Sequence, residues 1–285
     1  MRFAYAGIDF LADAFVGLVA GGWEPVKLFT RPCDGIHDVN DQIAGEFARR
    51  KLPIQMSRIT EGDLEALARS GCDCLVVAGY PWRIRGWEGR VAYAFNVHPS
   101  PLPEGRGPYP LYRAILDARE TWGVSAHVLD ADFDTGAVLD QETFALSPAE
   151  THETLLARCQ MATRRIAHRL GAGDFAGTWA SARPQAGGVY YPRAHDAERR
   201  LDFSRPVTEI LRRIRAFGHI ETIAAIGASR VHVMEAHGWE EAHDAPVGTI
   251  THRYRRTLVV AAADGFVAIT RWSPVSADVG RNFGR

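Results

Sequence analysis

The chain has 285 residues, 46% of them hydrophobic and 24% charged, with a formal net charge of −1. Such a composition excludes a disordered or collagen-like chain and leaves room for one large domain or two ordinary ones. No run approaches the ~18 uninterrupted apolar residues of a membrane span, and MRFAYAGIDF lacks the basic start, apolar core and cleavage site of a signal peptide, so a cytoplasmic protein is expected.

Short apolar runs alternate with helix-length segments from the start. Phe3 to Ala6 reads as a strand, followed by a helical pattern through Leu11, Phe15, Leu18 and Val19 that stops at Gly21-Gly22. Val26 to Phe29 is a second strand, and Val39 to Arg50 a helix with Ile43 and Phe47 on its apolar side. After a short strand near Ile54, TEGDLEALARSG opens a helix with Thr60 as its cap, ended by Gly71. CDCLVVAG and VAYAFNV are buried strands. This alternation predicts an α/β fold, a Rossmann-like and mainly parallel sheet with helices on both faces. Ligands of such sheets bind beyond the carboxyl ends of the strands.

Near residue 180 the texture changes. SARPQAGGVYYPRAHDAERR is rich in Gly, Pro, Ala and charge and reads as a connector. Beyond it come one helix, PVTEILRRIRAF, and five or six short alternating runs, with Asp264-Gly265 as a hairpin signal. A smaller C-terminal, β-barrel-like (OB-like) domain is expected, with the domains at 1–183 and 184–285. Residues 1–186 carry 19 basic and 23 acidic side chains and residues 187–285 carry 14 and 11. The change from −4 to +3 is too small to imply nucleic acid by itself.

Several chemistries lack support. The first strand is followed by AGIDFLADAF, with no G-x-G-x-x-G, and no Walker lysine occurs, so neither a nicotinamide nor an ATP cofactor is expected. Cys33, Cys72, Cys74 and Cys159 match no zinc spacing, and a Cys-x-Cys within a buried strand reads as core.

The strongest chemical signal is FNVHPSPLPEGRGPYPLYRAI, residues 95–115. Side chains alternate along a strand, so Asn96 and His98 share a face at its end. Pro99, Pro101 and Pro103 stiffen the exit, and Gly105 and Gly107 permit close backbone approach. An amide and an imidazole side by side can donate to an acyl oxyanion, and imidazole can also carry a proton near neutral pH. On this stretch alone they could equally satisfy loop backbone. A second strand end carries Asp130, Asp132 and Asp134, then Thr135-Gly136. Acidic residues there are commonly turn formers, and the run lacks the Gly and distal Glu of a calcium loop, so no metal is expected.

Together, NVHPSPLP…RG followed by DTG resembles the 10-formyltetrahydrofolate-dependent formyltransferases. The family's Asn, His and Asp fall on Asn96, His98 and Asp134. The opening 28 residues from Phe3 are similar to the family's first strand, helix and second strand, VVAGYPWRI resembles its pteridine-holding segment, and the tail from about Tyr191 resembles the C-terminal domain of methionyl-tRNA formyltransferases. The resemblance implies formyl transfer from 10-formyltetrahydrofolate to an amine without a metal or a covalent intermediate. Asn96 and, when protonated, His98 would hold the oxyanion, and either His98 or a water oriented by Asp134 would be the base. It also implies a cofactor-binding set of Tyr80, Trp82 and Ile84 around the pteridine, with Ser100, Leu102, Asp130, Ala131 and Asp132. Aromatics near a strand end are otherwise core. Arg106 would support the loop or meet an anion, solvation being its default.

Two departures bear on the acceptor. The basic, Gly-rich insertion that methionyl-tRNA formyltransferases usually carry after the second strand is replaced by TRPCDGIHDVNDQIAGEFARR, acidic at Asp34, Asp38 and Asp41. GRGPYPLYRAI is also bulkier than the usual continuation. A small-molecule amine is therefore the expected partner. A nucleotide-linked amino sugar is favoured over a hydroxyornithine-type amine, and tRNA is kept as the alternative. A non-catalytic folate-binding protein is the reading from another class, and would be expected to lack one of the three polar residues. No membrane partner is expected; a homodimer is left open.

Overall fold

A computed structural model of the chain describes residues 1–33, 39–218, 222–226 and 229–275. In chain order the elements are β1 (Arg2–Gly7), α1 (Asp13–Ala20), β2 (Glu24–Phe29), α2 (Asp41–Arg49), β3 (Ile54–Gln55), α3 (Glu61–Arg69), β4 (Cys74–Ala78), β5 (Tyr93–His98), β6 (Glu104–Arg106), α4 (Pro110–Leu116), β7 (Thr121–Val128), β8 (Val138–Ala145), α5 (His152–Ala172), α6 (Phe175–Ala180), β9 (Val189–Tyr190), α7 (Asp196–Arg199), α8 (Val207–Phe217), β10 (Thr222–Ile226), β11 (Ser229–Glu240), β12 (Ile250–Tyr254), β13 (Thr257–Ala261) and β14 (Gly265–Pro274). They divide into two compact units. One holds 1–110, 121–145 and 157–191; the other holds 111–120, 146–156 and 192–285.

The first unit is built on a seven-stranded sheet in the order β3-β2-β1-β4-β5-β7-β8. Strands β3 through β5 pair in parallel, and β7 and β8 add an antiparallel edge. The apolar alternation of β1 explains the two covered faces. Phe3 and Tyr5 lie against Phe15 of α1, whereas Ala4 and Ala6 join Leu64 and Leu67 of α3 in the opposite cluster. Helix α3 starts where the sequence places its cap: Thr60 and Asp63 form a capping box, which satisfies two backbone donors otherwise left open. Helix α1 meets α5 backbone to backbone, since a Cβ on Gly17 would lie 2.4 Å from the Arg164 carbonyl oxygen. Trp23, Phe95 and Phe175 close the core behind β5 with edge-on and tilted ring contacts.

The second unit contains a five-stranded antiparallel sheet, β10-β11-β14-β13-β12, with the expected hairpin between β13 and β14. Helix α8 buries Val207, Ile210 and Ile214 with Val233, Val260, Val267 and Ile269 of the strands. Fully burying each such side chain contributes roughly 1.5–3 kcal/mol. None of the four cysteines is in a disulfide; Cys72, Cys74 and Cys159 are buried and Cys33 is exposed. No helix among the described residues is long and apolar enough to cross a membrane.

Candidate active site

Strand β5 ends on Asn96-Val97-His98, and the alternation turns Asn96 and His98 to one side. The loop that follows is held from the neighbouring strands. Trp122 Nε1 donates to the Pro99 carbonyl (2.9 Å), and Ser125 Oγ donates to the Ser100 carbonyl (2.7 Å) while accepting from Leu102 N (3.0 Å). Gln141 Nε2 donates to the Leu102 carbonyl (2.7 Å) and to Ser125 Oγ (2.9 Å). The prolines therefore stiffen a loop that β7 and β8 already pin.

The second loop delivers Asp134 to the same place. Its Oδ1 lies 3.5 Å from His98 Nδ1, 3.5 Å from His127 Nε2 and 3.4 Å from Asn96 Nδ2. Its Oδ2 accepts from Gly107 N at 2.8 Å. Asp134 holds φ at +60°, a left-handed conformation rare outside glycine, which needs surrounding structure to persist. Gly136 makes the next step possible because a Cβ there would stand 1.9 Å from the Val128 carbonyl oxygen.

His127 carries no functional signal in the sequence, yet it belongs to this cluster. Antiparallel pairing sets His127 opposite Asn96. Its Nδ1 sits 2.9 Å from the Val128 carbonyl, so Nδ1 bears the proton and Nε2 is left to accept from Asn96 Nδ2 at 3.1 Å. One Asn96 amide hydrogen is thereby engaged, and the other makes only the long contact with Asp134.

The same reasoning fixes His98. Its Nε2 faces the Gly105 carbonyl at 2.8 Å and must donate, leaving Nδ1 as the lone-pair nitrogen beside Asp134. Burial holds His98 below its ordinary pKa of 6.5, an effect that Asp134 and the Gly105 carbonyl oppose without reversing and His127 reinforces. His98 is therefore a neutral base at neutral pH. For Asp134, burial would raise the pKa, but His98, His127 and the Gly107 N–H outweigh it, and the carboxyl is held well below the usual carboxylate range.

The two shifts act in one direction on stability. The folded chain disfavours a proton on His98, so stability is lost as pH falls below the unfolded value of 6.5 until folded His98 is protonated. Asp134 contributes stability that is present above 3.8 and lost as pH falls through its lowered value. Urea midpoints measured from about pH 7.5 down to about pH 4 should fall steadily, and His98→Gln should flatten the upper part of that fall. A His98→Gln profile parallel to that of the wild type throughout would contradict the assignment.

The proposed cofactor-binding residues fall into three groups. Tyr80 and Ile84 are buried among Leu64, Leu67 and Val91, and the Tyr80 hydroxyl accepts from Ile59 N (3.0 Å) and donates to the Ser57 carbonyl (3.3 Å). Trp82 is half-buried and edge-on to Tyr80. Ser100 and Leu102 are buried and act through their backbone groups in the tied loop. Asp130, Ala131 and Asp132 are exposed at the end of β7, where Arg83 reaches Asp132 (3.6 Å) and lies over the Phe133 ring (4.6 Å). Segments 80–84 and 130–132 lie outside helices and strands.

Arg106 differs from its solvated default: its Nε and Nη2 donate to Gln185 Oε1 at 3.2 and 2.9 Å. The supposed connector is also ordered around the site. Arg183 pairs with Val138, β9 pairs with β6, and Tyr191 N donates to the Arg106 carbonyl (2.6 Å). A Gly/Pro-rich composition looked like a linker because its partners are distant in sequence. Of the acidic stretch after β2, Asp34 and Asp38 lie outside the described residues, while Asp41 begins α2.

The formyl transferase family model matches residues 48–169, and that of the formyl transferase C-terminal domain matches residues 193–277. A methionyl-tRNA formyltransferase from Methylibium petroleiphilum is 33% identical over 76% of this chain and 75% of its own length. Another, from Paracidovorax citrulli, is 35% identical, over 53% of this chain and only about half (47%) of its own length. Among solved structures, an N-formyltransferase from Helicobacter canadensis, in complex with folinic acid and dTDP-3-aminofucose, superposes with a TM-score of 0.68 at 14% identity, covering 95% of this chain and 99% of that one. The chain belongs to the formyl transferase family.

Proposed function

We propose that this formyltransferase moves the formyl group of 10-formyltetrahydrofolate to the amine of a small molecule, with a nucleotide-linked amino sugar as the favoured acceptor. The observation that carries the reading is the convergence of Asn96, His98 and Asp134 within 3.5 Å contacts at one strand end. A non-catalytic folate-binding protein would have no need of that convergence. 10-Formyltetrahydrofolate supplies the activated one-carbon group, with Tyr80, Trp82, Ile84, Ser100, Leu102 and Asp130–Asp132 as its proposed holders.

The chain's own groups divide the work. Asn96 Nδ2 offers its second hydrogen to the formyl oxygen as charge develops there, an interaction of the kind worth about 3–4 kcal/mol of barrier. His98 Nδ1 takes the proton of the attacking amine, which it can later return to the folate nitrogen as that nitrogen's bond to the formyl carbon breaks and tetrahydrofolate leaves. The resulting imidazolium stands beside the ionised Asp134, and that attraction strengthens as the charge appears. Asp134 thus contributes most after the proton has moved. We place this chemistry in residues 1–183, extended to 191 by β9.

The charge pattern supports a small acceptor. The sequence has a net charge of −1, and a segment with three basic and four acidic residues stands where a basic one would meet an acceptor stem. Tyr109 and Tyr190 are 43% and 57% exposed. A Cβ built on Gly107 would meet the Tyr190 ring at 3.1 Å, and Gly107 N itself holds Asp134. An aromatic face beside the acid suits a sugar or a base ring. The sequence relatives favour the second reading, a methionyl-tRNA formyltransferase. Offering 10-formyltetrahydrofolate with a nucleotide-linked amino sugar, hydroxyornithine and methionyl-tRNA separates the two. The amino sugar should have the highest kcat/KM; fastest formylation of the tRNA would overturn the choice.

A further inference from the structure

The segment from Arg183 to Tyr191 touches both loops that form the site. Arg183 exchanges backbone hydrogen bonds with Val138 at 2.9 and 2.8 Å, just after the Asp134 turn. Val189 and Tyr190 pair with Glu104 and Arg106, just after the His98 loop. Gly188 lies so close to Pro103 that a Cβ would be 2.2 Å from its carbonyl oxygen. Between these contacts stands Gln185, whose side-chain oxygen takes both hydrogen bonds from Arg106. A guanidinium can only donate, so the amide orientation is fixed and Nε2 must face the other way. There it donates to the carbonyls of Asp134 (3.0 Å) and Gly136 (2.6 Å).

We propose that Gln185, oriented by Arg106, is a positioning residue that sets the Asp134 turn and through it the proton affinity of His98. One amide ties two carbonyls, two residues apart, in a turn whose first residue holds φ at +60°. A turn so constrained keeps the Asp134 carboxylate between His98, His127 and Gly107 N; released, it can relax toward ordinary backbone geometry and carry the carboxylate away. The catalytic consequence rests on the function proposed above, whereas the electrostatic one does not.

Two full-length variants test it. Gln185→Leu removes both halves of the link. Gln185→Glu keeps a strong acceptor for Arg106 but replaces the two donors with an oxygen facing two carbonyls. Asp134 raises the His98 pKa, so its displacement should lower the His98 titration midpoint, followed by NMR, by about half a pH unit or more in both variants. With the best acceptor, kcat should fall at least about tenfold while the KM for the formyl donor changes by less than about threefold. If Gln185 only anchored Arg106, Gln185→Glu would behave as wild type. A His98 midpoint within about 0.2 units of wild type in either variant overturns the proposal, whatever the activity. Absence of transfer by the wild type to every amine would instead count against the proposed function, since the titration needs no acceptor.

Discussion

Replacing His98 by glutamine is expected to lower kcat for formyl transfer by about 100- to 10,000-fold, a barrier increase of roughly 3–5.5 kcal/mol. The size follows from what glutamine keeps and what it loses. Its amide can still donate to the Gly105 carbonyl, which His98 Nε2 reaches at 2.8 Å. It offers no basic nitrogen in place of Nδ1, which faces Asp134 at 3.5 Å. The fold should persist, with unfolding free energy within about 2 kcal/mol of wild type. KM for the formyl donor should stay close to wild type, because the lost step is proton removal. Burial holds His98 below 6.5, so the acid limb of the wild-type kcat/KM profile should lie below that value. That limb should vanish in the variant. Steady-state rates with the best acceptor, together with urea denaturation, check both halves; a kcat within about threefold of wild type would remove His98 from its role.

The second large effect comes from a residue with no side chain. Gly136→Ala would put a methyl group 1.9 Å from the Val128 carbonyl oxygen and 2.8 Å from its carbon. Both obstacles are backbone, so no rotamer change relieves them, and β8 begins only two residues later. The turn must move, and the Gln185 bond to the Gly136 carbonyl moves with it. We expect a stability loss of about 3 kcal/mol. We also expect at least a hundredfold loss of kcat, because Asp134 is carried on the same turn. Chemical denaturation and kcat at saturating donor measure the two effects. A normal kcat would show that the Asp134 turn tolerates displacement and that the site does not depend on its tight geometry.

What could be read from the sequence, and what could not, follows the range of the forces involved. The short, nearly continuous apolar runs of β1, β4 and β5 are a local property, and so is the Thr60 cap of α3; both were legible. Asn96 and His98 were legible as a pair because alternation along one strand is local too. Asp134 needed the family resemblance, since nothing in its neighbourhood distinguishes it from Asp130 or Asp132. His127 was not legible because its role depends on the register between β5 and β7, two strands some thirty residues apart in sequence. That β7 and β8 run antiparallel was hidden for the same reason: pairing direction is decided by how the chain returns. Gln185 was the least visible. Its segment has the Gly and Pro content of a linker, and only its long-range contacts with Arg106, Asp134 and Gly136 reveal a brace.

Asn96, His98 and Asp134 should together transfer a formyl group to a small-molecule amine. The most direct measurement incubates the wild-type protein and the His98→Gln variant with 10-formyltetrahydrofolate and a nucleotide-linked amino sugar, and follows the acceptor by mass spectrometry. We predict an acceptor heavier by one formyl group with the wild type, and formation slowed by about a hundredfold or more with the variant. Equal rates of formylation by the two proteins, or an acceptor left unmodified by the wild type while methionyl-tRNA is formylated, would contradict these roles.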